Sequence, residues 1–400
     1  MQPFSIYLHI PFCHHRCSYC DFNTYTGLDD LIPDYTQALC SEINFIAANC
    51  GQQIPVHTVF LGGGTPSILP IIELAKVFEA LYRDFEIING AEFTLEANPE
   101  RVTYDYLKGL RTLGINRLSL GMQTANPEEL RLLERQHDYD QIALTVSLAR
   151  KAGFDNINLD LIFGLPHQTL ESWQESLELG LTLNPDHFSL YALTVEEGTP
   201  LADWINKGSL IEPDPDLAAD MYELASERLD RSGFKQYEIS NWAKYDDTNG
   251  LLACRHNLQY WRNLPYLGVG AGAHGFAGGI RTANELSPRR YIQCFLSEYV
   301  KRDQNQLLFP STPATVNVQA VKQDQEIRET MMMGLRLTEE GVSREAFRAR
   351  FGMSLEEIYE TEIVESISEG LLEWEPTHKD CLRLTPRGHL LGNQVFVRFI

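Results

Sequence analysis

The sequence predicts an α/β fold of the (β/α)-barrel class followed by a smaller C-terminal domain. Three observations predict it. Short apolar stretches alternate with helical patterns six times before residue 240, the rhythm of parallel strands joined by helical crossovers. Five of the six apolar stretches end in glycines or isolated polar residues, at the strand ends where barrels of this class carry their reactive groups. The first stretch runs directly into three cysteines, Cys13, Cys17 and Cys20, spaced C-x3-C-x2-C.

Taken in order, Ile6 to Ile10 is the first strand, closed by Pro11, and Asp34 to Ala48 is an amphipathic helix. Val56 to Leu61, Glu92 to Ala97 and Asn116 to Leu120 are strands, separated by helices over Ile71 to Phe85 and Tyr104 to Leu113. Pro127 opens the next helix as its first residue, with Asn126 as the cap. A helix over Ile142 to Ala152 stops at Gly153. Asn156 to Phe163 is the fifth strand, Leu170 to Leu183 a helix and His187 to Leu193 the sixth strand. A helix over Asp216 to Ser232 follows. The barrel domain is expected over residues 1–240, a glycine-rich connecting segment over 241–310 and an accessory domain over 311–400.

The cysteine loop can wrap one compact metal centre. Thiolates are the usual ligands of iron–sulfur clusters, and three of them leave one iron of a four-iron cubane open. The same spacing suits a structural zinc ion with His14 or His15 as the fourth ligand. The other strand ends supply Gly62-Gly63-Gly64-Thr65, Glu96, Gln123, Asp160 and Ala192. Singly these are a tight turn, solvated strand ends and a structural carboxylate; jointly they suit a ligand cradle. Amides at Gly63 and Gly64 are expected to hold a carboxylate or amino group, because no side chain intervenes. Cys40, Cys50, Cys254, Cys294 and Cys381 are scattered and read as small buried hydrophobes.

Composition bounds the rest. The 33 basic and 55 acidic residues give a net charge of −22, which argues against nucleic-acid binding and against adhesion to an anionic membrane. No apolar run of about 18 residues is present, so no membrane segment is expected. Met1-Gln2-Pro3-Phe4 lacks a basic-then-apolar leader pattern, and the clustered cysteines fit a reducing cytoplasm.

The stretches HIPFC-x3-C-x-Y-C-D-F, GGGTPS, LEANPE, LSLGMQ and NLDLIFGLP, with others covering almost the whole chain, resemble the oxygen-independent coproporphyrinogen III oxidase branch of the radical S-adenosylmethionine (SAM) superfamily. The resemblance implies an open (β/α)6 barrel, a 4Fe–4S cluster on Cys13, Cys17 and Cys20, and SAM chelating the open iron. It places the SAM contacts at Tyr7, Tyr19, Gly63, Gly64, Thr65, Glu96, Gln123, Arg135, Asp160 and Ala192. Of these, Glu96 faces the sulfonium or amino group, Asp160 the ribose hydroxyls, and Arg135, on the helix after strand four, the methionyl carboxylate.

The branch holds two activities. Its oxidases decarboxylate two propionates of coproporphyrinogen III; they resemble this chain but carry a longer segment before the motif and a further cysteine where Phe22 stands here. Its haem chaperones carry an H-N-x-x-Y-W motif, present here as His256-Asn257-Leu258-Gln259-Tyr260-Trp261. The resemblance therefore implies a haem carrier, with the oxidase as the alternative. Haem-acceptor proteins, respiratory ones among them, are the implied partners, and the carrier is a monomer or homodimer. His256 is the expected haem ligand on an accessible surface, with Asn257 beside it. Tyr260 and Trp261 offer flat faces to the macrocycle, and His274 is a secondary contact. Residues 264–284 are glycine-rich, which suits close backbone approach to a ligand or to the barrel.

At the C-terminus, helices over Ile327 to Leu337, Ser343 to Phe351 and Leu355 to Gly370 precede a hairpin formed by Leu371 to Pro376 and Cys381 to Thr385. A last helix spans Pro386 to Val397, and the order is winged-helix-like.

Overall fold

The computed structural model describes residues 2–248, 250–296, 307–377 and 379–400. Their contacts divide the chain into two units, Met1–Ala225 with Pro265–Gln319, and Ser226–Leu264 with Ala320–Ile400. Residues 241–310, read from the sequence as a connector, are thus shared between the two, and their stretch 297–306 lies outside the described residues.

The first unit is built on six parallel strands: β1 (Phe4–Ile10), β2 (Pro55–Gly63), β3 (Glu86–Ala97), β4 (Arg117–Gln123), β5 (Ile157–Phe163) and β6 (His187–Ala192). Each pairs with its sequence neighbour, as crossover connections require. The helices between them are α1 (Ile32–Asn49), α2 (Ile71–Asp84), α3 (Tyr104–Leu113), α4 (Pro127–Leu132), α5 (Tyr139–Lys151) and α6 (Leu170–Thr182). The strands are apolar on both faces; in β1 every residue except Tyr7 is buried, as expected of a sheet covered by helices. The Asn126 cap works as read, its Oδ1 accepting from the amides of Glu128 and Glu129 ahead of α4, and Thr169 and Ser172 add a capping box on α6. β3 starts earlier than its apolar core, because Glu86 and Ile87 pair with Pro55 and Val56 before a register shift.

After α7 (Pro200–Asn206), helix α8 (Pro215–Arg231) runs into the second unit. There the chain forms the hairpin β7 (Phe234–Glu238) and β8 (Asn241–Asp246), then helix α9 (Arg255–Trp261). It returns to the first unit as β9 (Tyr266–Val269), β10 (His274–Ala277) and β11 (Ile280–Asn284). β9 pairs in parallel with β1 on the side away from β2, and β10 and β11 continue antiparallel. The six-stranded barrel is therefore open at β1, and the glycine-rich stretch is sheet rather than a loop.

A single buried carboxylate ties this return to the barrel. Glu42 of α1 is fully buried. It accepts from the Gly270 amide at 2.8 Å, Asn284 Nδ2 at 2.8 Å, the Tyr291 hydroxyl at 2.6 Å and the Thr312 hydroxyl at 2.7 Å. Burial pushes its carboxyl up, and these four donors oppose the push.

The second unit has its own core, centred on Met331, Leu335, Leu355, Leu382 and Val395. After β12 (Thr315–Ala320), α10 (Gln323–Gly334), α11 (Arg344–Phe351) and α12 (Leu355–Ser368) pack with a small antiparallel sheet. Its strands, β13 (Val342–Ser343), β14 (Leu372–Trp374) and β15 (Cys381–Leu384), pair in the order β13-β15-β14, which is the winged-helix arrangement. Two expectations are corrected. The last helix is broken into Pro386–Leu390 and Gly392–Phe396, because Leu391 leaves the helical region and Gly392 packs against the Phe396 ring. Of the scattered cysteines only Cys254 is buried; Cys40 and Cys294 on helices, Cys381 on a strand and Cys50 at the C-cap of α1 are half-exposed.

Replacing Glu42 with Ala strands four donors in a closed interior. We expect Glu42→Ala to lose about 3–5 kcal/mol of unfolding free energy, read as the urea midpoint at constant slope, with Glu42→Gln losing less.

Candidate functional site

The C-terminal ends of β1 to β6 open onto one cavity of about 440 Å³, within the range of small-molecule sites. Its wall contains Cys13, Cys17, Cys20, Tyr19, Gly63, Gly64, Thr65, Glu96, Gln123, Arg135, Asp160 and Ala192, residues the sequence had scattered over 180 positions. Tyr7 is the exception. It stands behind the wall, its hydroxyl 3.1 Å from His9 Nδ1 and its ring stacked near Phe60.

The cysteine loop is fixed by main chain. The Gly64 amide donates to Ile10 O at 2.8 Å, the Thr65 amide to Phe12 O at 2.9 Å, and the Tyr25 amide to Pro11 O at 2.7 Å. Cys13 is buried, with its Sγ 3.6 Å from Thr65 Oγ1, and burial pushes its thiol up to about 11. Arg135 Nη1 donates to Cys17 Sγ at 3.5 Å. Cys20 Sγ lies 3.9 Å from Thr24 Oγ1.

The expected role of the glycine amides is corrected. Gly63 donates to Glu96 Oε2 at 3.2 Å and Gly64 to Ile10, so both amides are engaged inside the protein. What the glycines supply is space. Gly63 has φ +112°, and a Cβ there would fall 2.5 Å from the His9 ring; one on Gly64 would fall 2.6 Å from Phe12 O and 3.0 Å from Cys13 Sγ. Arg135 also departs from expectation: it lies beyond the end of α4, not on it. Its Nη2 donates to Gly121 O at 3.0 Å and Asn98 Oδ1 at 3.4 Å, while its buried Nε has no hydrogen-bond partner.

Two carboxylates face the cavity from β3 and β5. Burial, then the charge of Asp160, pushes Glu96 up to about 8. Asp160 is also raised by burial, against hydrogen bonds from Asn158 at 2.8 Å and Ser119 at 3.0 Å. Gln123 ends β4 with φ +64°, a left-handed conformation that costs a non-glycine residue about 1–2 kcal/mol and turns the chain over the cavity. Sequence reasoning missed Ser119, Asn98, Ile162 and Leu193 on the same wall. Ser119 was within reach of the two-residue strand period, since it alternates with Gly121 and Gln123 along β4.

Three thiols border the cavity, and both histidines of the loop lie beside carboxylates. Among the described residues no three His, Cys, Asp or Glu side chains converge as a single-ion site. His14 Nδ1 lies 3.6 Å from Asp29, and His15 Nε2 3.5 Å from Glu134. The cavity beside the thiols, with two buried carboxylates and an orphaned arginine nitrogen, fits a ligand with cationic, anionic and hydroxyl groups.

Comparison with known proteins agrees. The radical SAM superfamily model matches residues 7–180, and the HemN C-terminal domain model matches residues 321–391. A heme chaperone HemW of Bacillus subtilis is 37% identical over 99% of this chain and 99% of its own. The chain belongs to the HemW family of radical SAM proteins. A HemW of Mycobacterium tuberculosis is also 37% identical, over 98% of this chain and 94% of its own. The solved coproporphyrinogen III oxidase HemN of Escherichia coli, described as a radical SAM enzyme, superposes with TM-score 0.80 at 25% identity, over 99% of this chain and 90% of that one. The radical SAM fold of the HemW family implies a 4Fe–4S cluster and SAM.

The H-N-x-x-Y-W stretch lies in the second unit, on α9. The expectation of an accessible His256 is corrected: its ring is buried, with Nε2 2.9 Å from the Tyr260 hydroxyl and the two rings edge to face at 4.9 Å. The four-residue spacing on a helix brings the pair together. Asn257 is half-buried beside it. One face of the half-buried Trp261 ring is covered by the Arg336 guanidinium at 4.5 Å. His274 is exposed on β10, in the first unit.

The raised Glu96 makes a pH prediction. The fold favours its neutral form, so this stabilisation is complete below the ordinary value of 4.5 and is lost as pH climbs through about 8. From pH 6 to pH 9 the unfolding free energy of ligand-free protein, read from denaturant curves, is expected to fall by a few kcal/mol more in the wild type than in Glu96→Gln.

Proposed function

We propose that the chain holds a 4Fe–4S cluster on Cys13, Cys17 and Cys20, binds SAM in the cavity beside it, and carries haem to acceptor proteins. The convergence of the three thiols with Glu96, Asp160 and Arg135 on one cavity supports the cofactor site. Full-length similarity to heme chaperones supports the cargo. A cluster with an open iron supplies an electron to a sulfonium bound at it.

The chain's own residues do the rest. Thr65 and the Arg135 charge oppose the burial that raises the Cys13 thiol, and Arg135 donates a hydrogen bond to Cys17 Sγ. Glu96, neutral when the cavity is empty, ionises against a cationic ligand and so couples binding to proton release. Asp160 accepts from ribose hydroxyls, and Arg135 takes a carboxylate on its partnerless Nε. Tyr19, packed with Leu133, Ile162 and Leu165, lends an apolar face to a purine, while Tyr7 braces the glycine loop from behind.

Haem is held by His256, and the site is closed in this structure. Ligation of iron requires the imidazole to exchange its Tyr260 contact for the metal. Cargo then passes to acceptors, respiratory proteins among them, in the cytoplasm. Among the described residues no helix is long and apolar enough to cross a membrane.

The cofactor reading is tested by anaerobic reconstitution with iron and sulfide counting. Four irons and four sulfides per chain are expected for this cluster type, and serine at any of the three cysteines is expected to abolish it. Stoichiometric zinc in place of iron would overturn the reading. The cargo reading is tested by Soret absorbance with added haem. His256→Ala is expected to bind at least about tenfold more weakly, while Tyr260→Phe, which removes the hydroxyl contact to the imidazole, binds faster. Turnover of coproporphyrinogen III with no haem retention would favour the oxidase instead.

A further inference from the structure

We infer that Asn158 and His187 are positioning residues that fix the hydrogen-bond polarity of Asp160, so that its oxygens face the cavity as acceptors for the two ribose hydroxyls of a nucleoside ligand. The inference rests on the SAM reading above. It begins with register. Ser119, Asn158 and His187 stand side by side on β4, β5 and β6, and Gly121, Asp160 and Ser189 form the next row. Alternate residues share a face, so Asn158 and Asp160 point the same way.

The resulting network has one consistent proton order. Asn158 Nδ2 lies 2.8 Å from Asp160 Oδ1 and 2.7 Å from Ser119 Oγ. Ser119 Oγ donates to Asp160 Oδ2 at 3.0 Å. An asparagine turned the other way would set its carbonyl against the carboxylate, so Asp160 requires the NH₂ group on its side. Asn158 Oδ1 therefore faces β6, where it lies 2.6 Å from His187 Nδ1 and 3.1 Å from Ser189 Oγ. A carbonyl oxygen only accepts, so His187 must carry its proton on Nδ1. His187 is completely buried, and burial followed by the nearby Arg117 charge keeps the ring neutral, with that one proton. The histidine proton thus fixes the amide, and the amide and Ser119 each donate to one oxygen of Asp160; Ser189 also approaches the carboxylate, but its single hydroxyl proton goes to Asn158 Oδ1 in this order, so the remaining lone pairs are left for a ligand. A carboxylate offers about four acceptor sites, enough for both protein donors and two hydroxyls. Ser119 and Asp160 both line the cavity, whereas Asn158 and His187 do not; they act through Asp160.

The test compares SAM with its 2′-deoxy and 3′-deoxy analogues on the reconstituted full-length protein, by equilibrium dialysis. The wild type is expected to prefer SAM by about tenfold or more for each hydroxyl that Asp160 receives. Asn158→Asp keeps the shape but removes the donors. His187→Leu removes the proton that orders the amide. Both variants are expected to lose the hydroxyl preference while binding the deoxy analogues as the wild type does. His187→Asn, whose NH₂ stands where the ring Nδ1–H stood, is expected to keep the preference. Preference retained in Asn158→Asp and His187→Leu would overturn the inference. So would equal losses for SAM and the deoxy analogues, which a merely structural role produces. A wild type that binds SAM without preferring its hydroxyls refutes the assignment of Asp160, and one that does not bind SAM refutes the cofactor reading itself.

Discussion

Three backbone hydrogen bonds, from Gly64, Thr65 and Tyr25 to the carbonyls of Ile10, Phe12 and Pro11, hold the cysteine loop in place, and much of the first unit is shaped to allow them. β1 ends between two chains that come very close. On one side the Gly63–Gly64 turn lies against the His9 ring and the Phe12 carbonyl, where no Cβ fits. On the other, Asn23 reaches from the loop to the carbonyls of Ala271 and Leu286 at 3.1 and 3.0 Å, and a Cβ on Gly272 would fall 2.5 Å from its amide. His9 Nε2 closes the clamp at 2.9 Å from Asn23 O. The glycine-rich stretch after α9 is therefore explained by packing on the barrel. Glu42 holds the far side of that stretch, at Gly270 and Asn284, so loop, clamp and carboxylate form one connected device.

Legibility followed the range of the interaction. Six strands and their crossovers were readable because apolar runs and caps such as Asn126 act within a few residues. The cavity wall was readable because strand ends in this class share one rim, so listing them listed the site. What the strand pattern could not carry was direction. It placed Gly63 and Gly64 at the site but could not show that their amides were already engaged, because Glu96 and Ile10 come from other strands. Asn158 and His187 read as ordinary strand residues; only the lateral register of β4, β5 and β6 gives them a role. The glycine-rich strands β9 to β11 escaped because β-propensity is low there, and pairing with β1 overrode it.

The second unit repeats the lesson for His256. The resemblance to haem chaperones makes His256 an expected, accessible ligand. On a helix of seven residues, position four further along lies directly over it, and Tyr260 is what stands there. The same helix puts Trp261 under Arg336. The motif thus packs on itself in the ligand-free chain, although the buried Trp261 Nε1 has no hydrogen-bond partner. A carrier that kept a bare imidazole and two bare aromatic faces in water would present an apolar patch to every partner. Closing the motif on itself removes that liability, and it makes release and capture of cargo a matter of a few hydrogen-bond and ring contacts.

The electrostatics of the cavity follow from a similar economy. Two carboxylates on β3 and β5 would be a poor way to stabilise an empty barrel, because burial raises both and the charge of Asp160 raises Glu96 further. Arg117, itself buried, offsets part of this from below, as it lowers both. Hydrophobic residues in their places would relieve the remaining strain, so their presence is a departure from what folding alone selects. The departure has a direction: acceptors and negative charge toward β3 and β5, thiols and Arg135 toward β1 and β4. A ligand that is cationic at one end and anionic at the other gains from that polarity, whereas a uniformly charged one does not. The interior of the barrel is therefore strained in the form that such a zwitterion relieves, and the relief is what binding would draw on.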